Sequence, residues 1–441
     1  MRKLTTVSAI GMLVAGSLTM SGTSHGATDA ERPGDRGHDR GREVLAPDDG
    51  WAAAEGGTTG GAEAASEHVY TVRTQAELRE AVQGDHPKIV YVEGDIDAMT
   101  DDDGNALACD DFNDPDYDFD AYLEAYDPAH WDGRAAGPLE DARRRSASNH
   151  AGHVRVEIGS NTTVIGLGAA SVTNAAFRLE SVHNVIIRNL GIHDAYDCFP
   201  QWRGSDWDAQ YDNIEISRST HVWIDHVTLT NGDTVDSNEP HHLGAIYDRH
   251  DGLLDIARES DLVTVSWSVL ADHDKSLLWG NGDNRPEDRG KLRITLHHNH
   301  LVNLTQRAPR VRYGQVHVYN NLYTHAADSD YPYGYSWGVG VESAIYAENN
   351  IFQLSDGITS DRIIQAWGGT AIHESGTVVN GRDTDVLAAF NDANESDLAG
   401  DVGWKPELHG TIHTTRAVPG LVRSGAGAGK LRAVRPGSEV R

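Results

Sequence analysis

NVIIRNL (184–190), HVWIDHVTL (221–229), LVTVSWSVL (262–270), RITLHHNHL (293–301), QVHVYNNLY (315–323) and SAIYAENNIF (343–352) follow one another along the chain. Each is a short run rich in β-branched and aromatic residues, the composition of a strand. KIVYVEG (88–94), VRVEIG (154–159) and TTVIGLG (162–168) share it upstream. The runs are set at least about twenty residues apart, too far for tight hairpins, and Asn-Gly or Asp-Gly turns are few and badly placed between them. One coil's worth of chain between short strands predicts a parallel β-helix, each turn stacking on the last. Asn189, Asp225, Asn299, Asn321 and Asn350 close several runs at comparable places. Such residues can form a hydrogen-bonded ladder and tolerate left-handed backbone at the corners.

Outward from this core, Thr74 before 75–82 reads as an N-capped amphipathic helix closing one end of the stack. Helical patterns over 119–126 and 138–145 read as excursions, and the periodicity weakens after about residue 355. Residues 1–27 have Arg2 and Lys3 before a short apolar run, then small residues: an export signal, too short to span a membrane. Residues 28–66 have few apolar residues to offset ordering entropy and are expected to be a disordered linker. The helix domain is expected over 67–425, and 426–441 as a loose tail. Asp and Glu outnumber Lys and Arg by 67 to 37, a formal charge of −30. That excludes a nucleic-acid partner and puts an anionic polymer at odds with the surface unless a cation bridges them. Cys109 and Cys198 are the two cysteines; export permits a bridge, but sequence alone does not decide whether they meet.

Three local patterns carry chemistry. Asp251 and Asp255 flank Gly252 in DGLLD, so two carboxylates can converge on a hard cation from one bend. Two solvated turn aspartates would look the same. QRAPRVRYG (306–314) gathers Arg307, Arg310 and Arg312; along a strand the last two share a face. A basic cluster in so acidic a protein points to an anionic ligand read by guanidinium groups, or to ion pairs with neighbouring acids. Lys275, in DHDK after LVTVSWSVL, could neutralise a substrate carboxylate or stand free. The run Asp101–Asn105 is acidic but lacks the spacing of an EF-hand loop.

Together with GSNTTVIGLG (159–168), NVIIRNLGIHDAYDCFPQW (184–202), WIDH (223–226) and WGVGVESAIYAENN (337–350), these patterns resemble the pectate lyases of polysaccharide lyase family one, bacillus-type, over roughly residues 65–355. The resemblance implies a right-handed parallel β-helix and calcium-dependent β-elimination on polygalacturonate, outside the cell, by a monomer. It implies calcium ligands Asp212, Asp251 and Asp255, the base Arg307, and Lys275 and Arg312 as binders of substrate carboxylates. His226 and His273 are left structural. Arginine is ordinarily a permanent cation, so an arginine base leads us to expect an alkaline activity optimum. The rivals are a pectin lyase, which would not need the acidic triad, a polygalacturonase, which would need paired carboxylates about a water, and a non-catalytic β-helical binding protein.

Overall fold

Alternate residues of the recurring runs are aliphatic, and those are the ones turned inward. Val222 and Ile224, Val263 and Val265, Ile294 and Leu296, Val316 and Val318, and Ile345 and Ala347 are all buried. They lie in parallel register strand upon strand, so each aliphatic row packs on the row of the next coil. The computed structural model describes residues 39–432, and within them the chain is a right-handed parallel β-helix.

Each coil contributes to three faces. The first holds strands such as Thr220–Asp225, Asp261–Ser266, Ile294–His297 and Gln315–Tyr319. The second holds Thr228–Thr230, Val269–Lys275, His300–Gln306 and Leu322–His325. The third holds Ile214–Ser217, Leu254–Ala257, Leu278–Trp279, Arg310–Val311, Trp337–Gly340 and Ile364–Trp367. The neighbour one coil on is 22 residues away at Asn299 and Asn321 but 41 away at Asp225 and Ser266. The surplus goes into loops, and two of those carry small antiparallel hairpins, Gln201–Trp202 with Trp207–Asp208 and His241–His242 with Ala245–Ile246.

The asparagine ladder exists with a membership narrower than expected. Asn299 Nδ2 donates to Asn321 Oδ1 and Asn321 Nδ2 to Asn350 Oδ1, both at 3.1 Å, and Ser268 N donates to Asn299 Oδ1 at 2.8 Å. The left-handed backbone belongs to the preceding column: Asn189, His226, Trp267, His298, Asn320 and Asn349 all have φ between 47° and 55°. Asn189 therefore sits at a corner, while Asp225 ends a first-face strand and pairs with Arg188. His226 has a structural place in that corner, with Nδ1 2.8 Å from Asp225 Oδ1.

Helix α1 (Gln75–Ala81) begins at Thr74, whose side chain accepts from Glu77 N, and it buries Leu78 over the first coil. Helix α2 (Phe119–Ala125) occurs where expected. Helix α3 (Pro138–Val154) runs nine residues past its expected end. Its second half, SASNHAGHV, has weak helix formers, but Ser146, His150 and Val154 are buried, so packing overrides propensity. The stack itself continues past 355 to Val378–Val379, followed by helices α4 (Val386–Ala393) and α5 (Val418–Gly425).

Both ends of the described chain depart from expectation. Residues 39–66 do not form a disordered linker. They run as a strap over the first face, with Leu45, Ala52 and Ala64 buried. Polar side chains of the sheet fix the strap: Trp51 N donates to Thr295 Oγ1, Ala52 N to Thr264 Oγ1 and Gly61 N to Thr163 Oγ1. The expectation counted apolar burial and missed this supply of acceptors. The tail is likewise held as far as Arg432: Gly427 N donates to Trp267 O, Ala428 N to Thr228 Oγ1 and Leu431 N to Asn189 Oδ1. The expected export signal (1–27), residues 28–38 and residues 433–441 lie outside the described residues. Cys109 and Cys198 form a disulfide, tying the excursion before α2 to the loop after Gly191–His193.

Candidate active site

The corner where the second face turns into the third brings Asp212, Asp251, Asp255, Lys275 and Arg307 close together, with Arg310 and Arg312 further along the third face. Val269–Lys275 and His300–Gln306 are neighbouring strands with Lys275 opposite Gln306. Arg307 follows as the corner residue in left-handed backbone, φ 58°, a conformation that costs a non-glycine residue about 1 kcal/mol or more. Its carbonyl accepts from Leu277 N, which fixes the corner. Asp212 lies 40 residues before Gly252, yet on the adjacent coil, where its Oδ1 accepts from Gly252 N at 2.7 Å. Asp255 Oδ1 accepts from Leu278 N at 2.8 Å.

Gly252 holds the centre of this arrangement. A Cβ there would stand 2.7 Å from Asp212 Oδ1 and 2.8 Å from Asp255 Oδ1, so both carboxylates converge on space that only glycine leaves open. Such crowding favours protonation. Burial first, then Asp255 and Asp251, raise Asp212 well above the usual carboxylate range; burial and Asp251 push Asp255 up to about 8. Asp251 is raised by burial but opposed by Lys275 and Arg307. Lys275 is held to its charge by Asp248 and Asp251 against the cost of burial, with Nζ 2.8 Å from Asp248 Oδ2 and 3.8 Å from Asp251 Oδ1. His273 is fully buried, its Nε2 3.2 Å from Asp251 O, and burial holds it well below the ordinary histidine value; it braces the Asp251 backbone.

The donor set is oxygen only, which suits calcium rather than zinc or iron. Among the described residues no three His, Cys, Asp or Glu side chains form a ready-made metal cage. The three aspartates fit a cation that takes much of its shell from water or from a bound carboxylate. Asp101 offers no comparable opening, since its carboxylate accepts from Asp103 N, Asn105 N and Asn105 Nδ2.

Asp251, Lys275 and Arg307 open onto a cleft of ≈ 460 Å³ walled by the two loop hairpins, which bring Arg203, Trp207 and Ile246 to it. Arg310 and Arg312 share the outward side of the third face, as their spacing predicts. Arg312 is committed to Asp283 and to Gly280 O. Arg307 and Arg310 pair with no carboxylate among the described residues, and the Nε of each is buried without an acceptor. In a chain of charge −30, two arginines without acids are the strongest sign of an anionic ligand. Sequence reading missed Asp248 and Arg203 as parts of the site. Asp248 stands three residues before Asp251, and only the fold shows that it faces Lys275.

The family model described as pectate lyase matches residues 41–114 and 139–403. The chain is 44% identical over 405 residues to the pectate lyase of Bacillus subtilis (strain 168), covering 89% of this chain and 94% of that one. It is 35% identical to pectate lyase D of Dickeya chrysanthemi, covering 87% and 89%. A solved pectate lyase bound to a hexasaccharide superposes with a TM-score of 0.84 at 43% identity, over 89% of this chain and all of that one. The pectate lyase of Acidovorax avenae subsp. citrulli gives 0.83 at 30%, over 92% and 99%.

Proposed function

Because the chain belongs to the pectate lyase family, we propose that its cleavage of polygalacturonate takes place at the Arg307 corner, with calcium on Asp212, Asp251 and Asp255. The activity is that of a polysaccharide lyase, elimination across the C4–C5 bond of a galacturonate residue to leave a 4,5-unsaturated sugar. Calcium, when bound, draws electron density from the substrate carboxylate and so acidifies the proton on the adjacent C5. Lys275 adds a second positive charge beside that carboxylate, and Arg312 binds a further carboxylate on exchanging its Asp283 partner for substrate. Arg307, in its neutral form, takes the C5 proton at a guanidine nitrogen. The C5–H electron pair becomes the C4–C5 double bond as the C4–O glycosidic bond breaks, and the departing oxygen takes a proton from water. The negative charge left behind develops where these side chains already present positive charge, which is electrostatic preorganisation. Asp248 keeps Lys275 ionised and aimed into the cleft.

The observation that supports this reading is Arg307, half-buried with its Nε lacking an acceptor, next to Asp251 and near Asp212 and Asp255, whose carboxylates crowd Gly252. A pectin lyase would have no use for those aspartates, and a binding protein none for an arginine held in left-handed backbone at the cleft. We read the protein as exported and acting as a monomer on polymer outside the cell. No helix among the described residues is long and apolar enough to cross a membrane.

The test is the ultraviolet absorbance of the conjugated unsaturated product during incubation with polygalacturonate, at neutral and alkaline pH. Chelator should abolish the rise, calcium should restore it, and the rate should grow toward alkaline pH. Arg307→Ala should lower kcat by about 10²–10⁴-fold. Full activity in excess chelator would remove the calcium assignment, and full activity of the variant would remove the base.

A further inference from the structure

Beyond Arg307 the third face continues as two outward-facing ladders running across its strands. Leu278, Arg310, Gly338 and Gln365 are successive neighbours in one. Gly340 and Trp367 are neighbours in the second, and Arg312 lies close to Gly340. The two glycines give the floor its form. A Cβ at Gly338 would lie 2.9 Å from Arg310 Cγ, and one at Gly340 2.9 Å from Arg312 Cγ. The Arg310 stem therefore lies across the strand Trp337–Gly340, toward Trp367, whereas Arg312 turns back to Asp283 and Gly280 O.

Trp367 is 41% exposed; among the described residues only Val44 and Ile246 join it as exposed large apolar side chains. On the same face Trp279 and Trp337 are fully buried, whereas Trp367 is not. One side of the Trp367 indole is covered by the Arg310 guanidinium, 4.4 Å from the ring centroid. Arg310 thus spends its charge on an aromatic ring, with no carboxylate, although acids outnumber bases throughout the protein. An indole rim beside a cation without an acid matches the two chemistries of a uronate residue, an apolar C–H surface and a carboxylate.

We propose that Trp367 and Arg310 form a distal subsite for a galacturonate residue remote from the cleaved bond. The sugar ring packs on the indole and its carboxylate meets Arg310. The Trp367 strand lies two strand spacings, about 10 Å, beyond that of Arg312, so a polymer leaving the Arg307 corner along this face reaches it within a few sugar rings. The subsite rests on the assignment of that corner as the catalytic centre. It makes Trp367 a determinant of chain-length preference with no part in the chemistry.

The experiment compares the whole enzyme with Trp367→Ala and Trp367→Phe on trigalacturonate and on polygalacturonate, after checking that the unfolding midpoints agree. Trp367→Ala should raise KM on the polymer about three- to tenfold, the loss being carried by KM more than kcat and smaller on the trimer. Trp367→Phe should recover most of it. In an Arg307→Ala background, titration with long oligogalacturonates should lose affinity by the same factor when Trp367→Ala is added. An unchanged KM on the polymer would overturn the subsite, as would an equal loss on both substrates that phenylalanine does not rescue. The two assignments fail separately: an active Arg307→Ala enzyme overturns the catalytic corner, whereas an inactive one beside an unaffected Trp367→Ala overturns only the subsite.

Discussion

A methyl group at position 252 has nowhere to go. It would stand 2.7 Å from Asp212 Oδ1 and 2.8 Å from Asp255 Oδ1, so Gly252→Ala must spread two proposed ligands without removing either. Calcium affinity should fall about 10- to 100-fold, read from the calcium dependence of the unfolding midpoint or by calorimetry, while the fold persists at saturating calcium. An unchanged affinity would mean that the ion binds elsewhere. The convergence of Asp251 and Asp255 about a glycine could be read in the sequence, and the place of Arg307 came through resemblance to a family. Asp248 and the isolation of Arg310 could not be read. Both depend on which loop faces which coil, and pairing across a 27-residue gap leaves no local signature.

Asn321 stands in the middle of the internal ladder. It accepts from Asn299 N and Asn299 Nδ2, donates to Leu296 O and Asn350 Oδ1, and is fully buried. Asn321→Ala leaves donors and acceptors of two neighbouring coils without partners, and each such group costs about 1–3 kcal/mol. A total loss of about 3 kcal/mol or more is expected in denaturant unfolding, against little change for Asn394, an exposed side chain after α4. The strands were legible because short β-branched and aromatic runs recur, and α1 because Thr74 caps it. The second half of α3 was not, since SASNHAGHV is weakly helical and is held by what it touches. The strap at 39–66 was not legible for a related reason. Its backbone is satisfied by Thr163, Thr264 and Thr295 more than 100 residues away, and no window of sequence shows that.

The strap and the chain's last loop bury a group of histidines on the first face, and this gives the whole molecule its acid sensitivity. Burial first lowers His297 to about 3, against Asp225, and His298 to about 2, with neighbouring histidines adding to it, from an ordinary value of 6.5. Both rings are neutral when folded and take a proton near pH 6.5 when unfolded. Their contribution is therefore complete above pH 6.5 and is lost as pH falls toward 3, at up to about 1.4 kcal/mol per pH unit for each ring. Asp49, which faces His297 at 3.3 Å, is raised by burial to about 6 and works in the opposite sense between pH 6 and 4. Within this cluster two histidines outweigh one aspartate, so its contribution to the unfolding midpoint should drop below pH 6. A flat profile from pH 7 to 4 would show that the cluster is already wet. The strap and the tail also meet. Glu43 binds Arg188 at 3.0 Å, and Leu431 N binds the next residue, Asn189, at 3.0 Å. The strap and the tail thus come together at Arg188–Asn189, although the coils between them stack in sequence order. A circular permutant that joins residue 432 to 39 by a short glycine-rich linker and opens at the exposed loop tip Asp102–Gly104 should refold and retain lyase activity. The enzyme is, topologically, a ring that happens to be cut.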